Sequence, residues 1–169
     1  GTTWPGIFAY EDRRTVDYLC TRKEVDTNKL GCGGLSGGGL RTIYLAGLDE
    51  RIKCAACAGF MSTFEEMLKL HIIGHTWMMY LPYLSKYMDM PDLISLRAPA
   101  PLMLQCDIED DLFTLKGQKD SDTKLKNIYK KAGYPERYKG LFYPGPHKFD
   151  VPMQEDAFNW FEKWLKIKK

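Results

Sequence analysis

Between Phe8 and Arg22, the apolar positions Val16, Leu19 and Cys20 recur at helical spacing among charged residues, which predicts an amphipathic helix. Val25–Asn28 reads as a turn and Lys29–Leu35 as a short strand. A dense glycine cluster follows, then a helix from about Gly38 to Leu48, and Ile52–Ala58 forms a second apolar strand. The alternation resumes with a strand at Pro101–Cys106, a helix at Thr123–Ala132 and a strand at Tyr138–Tyr143. A last helix, from about Val151 to Ile167, places Phe158, Phe161, Trp164 and Leu165 on one face. Strands alternating with helices of this length predict an α/β protein with a mostly parallel sheet and flanking crossover helices.

The pattern changes between about residues 60 and 96, where Met67, Leu68, Ile72, Trp77, Met78, Met79, Tyr80, Leu81 and Tyr83 give a Met- and aromatic-rich stretch broken by Pro82 and Pro91. This stretch reads equally well as a helical, lid-like insertion over a site or as plain helical core. The 169 residues otherwise fit a single domain with a real core.

Charge narrows the partners. The 24 basic and 22 acidic residues are spread along the chain for a net +2, which gives no electrostatic case for nucleic acid or an anionic membrane. No apolar run approaches the roughly 20 residues that span a bilayer. No signal-peptide pattern is visible in a chain that opens with Gly1, so the compartment is not legible. The five cysteines, Cys20, Cys32, Cys54, Cys57 and Cys106, are odd in number and sit in apolar stretches, as buried free thiols do. Cys54 and Cys57 form a CxxC, but on a predicted buried strand rather than at a helix start, and zinc would need two further ligands that no second motif supplies.

The chemistry centres on Gly34-Leu-Ser-Gly-Gly38, a GxSxG between a predicted strand and a predicted helix. A nucleophilic serine in this setting occupies a sharp, strained turn, and its neighbours are glycines because side chains there would strike the adjacent strand and helix. The positive N-terminal end of the following helix favours negative charge developing at the serine, and the Gly37 N–H is the expected oxyanion donor. A phosphate-cradling loop is the competing reading, but the Walker-type lysine and the acidic ribose partner of a dinucleotide fold are both missing.

Three histidines are available as the base. His71 and His75 have an i, i+4 spacing that lacks the glutamate of a zinc-protease motif and a third ligand. His147 lies between a strand and the last helix, on a loop that can reach over the sheet edge to the serine. The orienting acid is expected between serine and histidine in chain order, where the loop after Pro101–Cys106 offers Asp107, Glu109, Asp110 and Asp111. Spacing leaves these four open.

The run Asp26–Arg51, with Gly-Leu-Ser-Gly-Gly and Leu-Asp-Glu-Arg-Ile, resembles the acetyl xylan esterase and dienelactone-hydrolase-like branch of the α/β hydrolases. The resemblance continues in Met90-Pro-Asp-Leu93, Arg97-Ala-Pro-Ala-Pro-Leu102, Asp110-Asp-Leu-Phe113 and Gly145-Pro-His-Lys-Phe-Asp150, and so spans essentially the whole chain. It implies Ser36 as nucleophile, His147 as general base and Asp110 as the acid. Relatives read Asp-Pro-Leu-Phe where this chain has Asp110-Asp-Leu-Phe, so Asp111 stands as the alternative acid. No metal or organic cofactor is implied, and the substrate class it suggests is a small ester or an acylated carbohydrate.

In that branch several strands precede the nucleophile strand, and one of their loops gives the second oxyanion donor. The resemblance therefore implies an α/β-hydrolase-type sheet lacking its N-terminal strands, with the nucleophile strand at an open edge. The expectation is that a second copy of the chain or a missing N-terminal segment covers this edge. A serine esterase is the leading reading. A catalytically incomplete fragment or interaction module is the alternative, and peptidase or thioesterase activity on the same residues is a third.

Overall fold

The computed structural model describes residues 2–71 and 79–166. Four strands, β1 (Gly31–Leu35), β2 (Cys54–Ala58), β3 (Leu102–Asp107) and β4 (Tyr138–Tyr143), form one sheet in the order β1-β2-β3-β4. Every neighbouring pair is parallel. The α-helices among the described residues are α1 (Trp4–Cys20), α2 (Gly37–Leu48), α3 (Phe64–Leu70), α4 (Met90–Ser95), α5 (Leu115–Lys131) and α6 (Val151–Leu165).

A parallel sheet needs helices on both faces, and the side chains of β2 show how that is met. Along this strand Ala55 and Cys57 join a large cluster with Leu40, Ile43, Leu102, Leu104, Cys106 and Leu125. Cys54 and Ala56 point the other way, into a smaller cluster with Met103, Ala157, Trp160 and Leu165. Helices α2 and α5 thus cover one face and α6 the other, with α1 and α4 packed outside α2. Small residues suit β2 because helices press on it from both sides. All its residues are buried.

Two helix starts lie earlier than the hydrophobic pattern predicts. Thr3 caps α1 by accepting from the Gly6 N–H, and Pro5 sits in the first turn, so the helix begins at Trp4 rather than near Phe8. Thr114 caps α5 by accepting from Gly117, which starts that helix at Leu115 rather than Thr123. Its first two turns are mostly polar and gave no apolar stripe to detect. On the expected face of α6, Leu165 is buried and Phe161 and Trp164 pack against the smaller cluster, but the placing of Phe158 is corrected. Met153, Ala157, Trp160 and Leu165 are buried, whereas Phe158 is 61% exposed because it falls on the outer side of that stripe.

The five cysteines are free, as expected, but Cys20 and Cys32 are half-buried and only Cys54, Cys57 and Cys106 are fully inside. From the 60–96 stretch, Phe60, Met61, Phe64, Met67, Met79, Met90, Leu93 and Ile94 enter the large cluster. His75 and Trp77 lie outside the described residues. Among the described residues no helix is long and apolar enough to cross a membrane.

β1 stands at the sheet edge, hydrogen-bonded to β2 on one side only. Gly31 and Gly33 are exposed there, so the described chain leaves a row of backbone groups on this flank open.

Candidate active site

Parallel strands bring all their C-terminal ends to one edge of the sheet, and the predicted site residues collect along that edge. Ser36 follows β1 directly, Gly59 follows β2, Asp107 ends β3, and His147 lies on the loop between β4 and α6.

Ser36 has φ 55° and ψ −116°, a left-handed conformation rare for a residue with a side chain. Such strain costs about 1–3 kcal/mol and persists where the surroundings fix it. Here the Ser36 N–H donates to the Ala58 carbonyl at 2.9 Å, and its own carbonyl accepts from Leu40 N–H at 2.9 Å to open α2. The glycines permit the close approach. A β-carbon on Gly34 would lie 2.8 Å from Cα of Gly38, and one on Gly39 would lie 2.7 Å from Cβ of Phe60. Gly37 meets no such crowding and is exposed, which leaves its N–H at the start of α2 accessible.

His147 must come from the opposite side of the sheet. Three strand spacings, about 14 Å, separate β4 from β1. The loop covers this distance by folding back over the strand ends. A β-carbon placed on Gly59 would lie 2.9 Å from His147 Cε1 and 2.8 Å from Leu35 Cδ1, so the imidazole and the residue before Ser36 flank one point above β2. Gly59 has φ +55°. Gly59 stands just beyond the strand that the hydrophobic pattern predicts, and nothing in its sequence neighbours points to the histidine.

Of the four acidic candidates, Asp110 meets the histidine. Its Oδ2 lies 2.7 Å from His147 Nδ1, and its Oδ1 accepts from the Leu112 N–H at 2.8 Å. The Asp110 carboxylate is fully buried while the imidazole remains partly exposed. Asp111 and Glu109 are exposed. The extra carboxylate that departs from the family pattern is thus solvent-exposed, and the contact with the histidine is made by Asp110.

The acid loop and the histidine loop are tied together by backbone. Ile108 N–H donates to the Tyr143 carbonyl at 2.9 Å, and Glu109 N–H to the Gly145 carbonyl at 3.1 Å. Asp107 adds a side-chain tie, its Oδ2 accepting from Lys148 N–H at 3.1 Å. Burial, and to a lesser degree the nearby Asp110, push the Asp107 carboxyl above its ordinary range, against the opposing pull of the Lys148 N–H. One side-chain donor atom from each of Asp107, Asp110 and His147 lies within 4.8 Å of the others, a cluster compact enough to hold a cation. Both oxygens of Asp110 and one of Asp107 are already engaged. His71 ends α3 as its C-terminal cap, away from this cluster.

Comparison with solved structures places the fold. A glucuronoyl esterase from Sporotrichum thermophile matches with a TM-score of 0.79 at 19% identity, over 98% of this chain and 52% of that one. The chain has the α/β-hydrolase fold. A “putative acetyl xylan esterase” from Bacteroides fragilis matches with a TM-score of 0.69 at 20% identity, over 82% of this chain and 36% of that one. In sequence, the chain is 26% identical to “Putative hydrolase YtaP” of Bacillus subtilis (strain 168) over 163 residues, 95% of this chain and 54% of that protein. No family model matches. The chain thus spans about half the length of the curated relative it matches. Its neighbours in structure include, besides the “putative acetyl xylan esterase”, a “Putative Dienelactone Hydrolase” from Klebsiella pneumoniae.

Proposed function

We propose that this chain carries the reacting groups of a serine-dependent carboxylic ester hydrolase. The observation that supports this most is the 2.7 Å contact between Asp110 Oδ2 and His147 Nδ1, on loops that share the sheet edge with the strained Ser36. With Nδ1–H donating to Asp110, His147 Nε2 is the basic nitrogen. Ser36 Oγ attacks the acyl carbonyl as Nε2 takes its proton. The tetrahedral oxyanion is held by the Gly37 N–H at the positive end of α2. Collapse expels the alcohol, which receives the proton from His147, and leaves an acyl-enzyme. Water repeats the sequence and releases the acid.

The two solved neighbours named above are a glucuronoyl and an acetyl xylan esterase, which favours an acylated carbohydrate or a small ester as substrate. The stretch from 60 to 96 is proposed as a helical insertion of the single domain that borders this site.

The second oxyanion donor is assigned to whatever covers the open flank of β1, either a segment N-terminal to these residues or a second copy of the chain. One missing donor costs about 10²–10³ in rate. The exposed edge also favours a second reading, a hydrolase fragment that needs another chain for activity.

A fluorophosphonate probe separates the two. Stoichiometric labelling, read by intact mass and lost in Ser36→Ala, is the result expected for a competent site. A folded chain that takes up no probe, alone or concentrated, would leave the fragment reading in its place.

A further inference from the structure

Asp107 lies 3 residues before Asp110, is fully buried, and has no part in the ester-hydrolysis scheme above. A buried carboxyl is costly to keep and needs a reason. One of its oxygens has a specific partner, the N–H of Lys148, the residue that follows His147. The other, Oδ1, is buried without a hydrogen-bond partner among the described residues. Its own backbone carbonyl is held by the Gln118 side chain at 3.1 Å, which fixes the end of β3 against α5.

We infer that Asp107 is a positioning residue for His147: its carboxyl oxygen anchors the Lys148 N–H and so sets where the imidazole stands between Asp110 and Gly59. The reasoning is geometric. Backbone bonds tie the two loops upstream of the histidine, at Ile108–Tyr143 and Glu109–Gly145. Downstream, before the Asp150 cap of α6, the hydrogen bond from the Lys148 N–H to Asp107 ties the histidine loop to the end of β3. Without it no backbone hydrogen bond among the described residues holds the loop to β3 between Gly145 and α6, and the His147–Asp110 contact carries the position of the imidazole. The role needs an acceptor, not a charge. Burial favours the uncharged carboxyl, which still accepts through one oxygen.

This inference rests on the proposed esterase site for its kinetic consequence, but not for its geometry. The test therefore carries two readouts, on the 169-residue chain and its variants. Asp107→Asn keeps a carbonyl acceptor of the same length; Asp107→Leu has similar bulk and none. A far-downfield proton resonance, assigned to the His147 Nδ1–H by its loss in His147→Gln, reports the contact with Asp110 directly. Asp107→Asn is expected to keep the resonance and a kcat within about threefold of the parent. Asp107→Leu is expected to lose the resonance and roughly 10- to 100-fold in kcat with little change in KM, as misplacement of a reacting group does. If Asp107→Leu does not fold, Asp107→Ser, whose hydroxyl is one bond too short to reach the Lys148 N–H, is read in the same way. Retention of resonance and kcat in the acceptor-less variant overturns the inference. Equal losses in Asp107→Asn and Asp107→Leu overturn it too, since charge and not acceptance would then matter. Absence of the resonance from the unmodified chain also overturns it. If the chain hydrolyses no ester and takes up no probe, the esterase reading fails alone, and the resonance still decides the role of Asp107.

Discussion

Gly59 and His147 are in contact: where a β-carbon would sit on Gly59, Cε1 of the imidazole stands 2.9 Å away. The histidine therefore depends on a residue that has no side chain at all. Gly59→Ala should cost about 1–2 kcal/mol of stability from its positive φ alone. It should also displace the ring, lowering kcat for ester hydrolysis by more than the lost stability explains. Urea unfolding together with steady-state kinetics checks both. A fully active Gly59→Ala would mean that the ring has other room.

Asp110 and Asp111 are adjacent in sequence and opposite in environment, one buried on the imidazole and the other exposed. Asp110→Asn is expected to lower kcat by about 10⁴, because the amide would favour the wrong histidine tautomer. Asp111→Asn should change it less than threefold. Kinetics on a chromogenic acetate ester distinguish them, and equal effects would undo the assignment.

Asp107 makes a prediction about pH that needs no substrate. Burial raises its carboxyl in the folded state, so the folded chain binds this proton more tightly than the unfolded chain. The stability it contributes is present in acid and is lost as pH rises from the ordinary carboxylate value of 3.8 through the raised folded one. Asp107→Asn removes that loss. Above this window its unfolding midpoint in urea should equal or exceed that of the parent, and the advantage should vanish in acid.

Asp49 behaves with the opposite sign. It is buried and bonded by Arg51, which holds its carboxyl below the ordinary value of 3.8. Its contribution is present above that value and fades as pH falls through the lowered one. Asp49→Asn should therefore cost about 2 kcal/mol near neutrality, with a difference that narrows below pH 4. Chemical denaturation at several pH values reads the crossover.

The CxxC pair should be chemically quiet. Burial pushes the Cys54 thiol up to about 12 and Cys57 higher still, so neither offers thiolate at neutral pH. Alkylation of the native chain should spare Cys32, Cys54, Cys57 and Cys106, with modification confined to Cys20. Rapid labelling of Cys54 would revive a redox role.

The parts legible in the sequence were those that rest on local pattern. The four strands, the strand–turn–helix around Ser36 and the chain order Ser36, Asp110, His147 follow from hydrophobic runs, glycine spacing and family motifs. The missed parts depend on contacts distant in sequence. The polar opening of α5 has no stripe to read until the sheet is present to define its inner side. Phe158 looks like core in a sequence, yet the register of α6 against β2 and β3 turns it outward. Gly59 and Asp107 matter because His147 folds back from β4, a path that no window of residues encodes.

Ser36 directly follows the strand whose outer side is open among the described residues. A strand laid along that side parallel to β1 would end beside the serine, so its terminal loop would arrive next to the reacting carbonyl. Were a second copy of the chain to supply that strand, turnover would obey the law of mass action for assembly: specific activity would climb with protein concentration and fall on dilution. The rate equation would contain a binding constant before it contained a substrate.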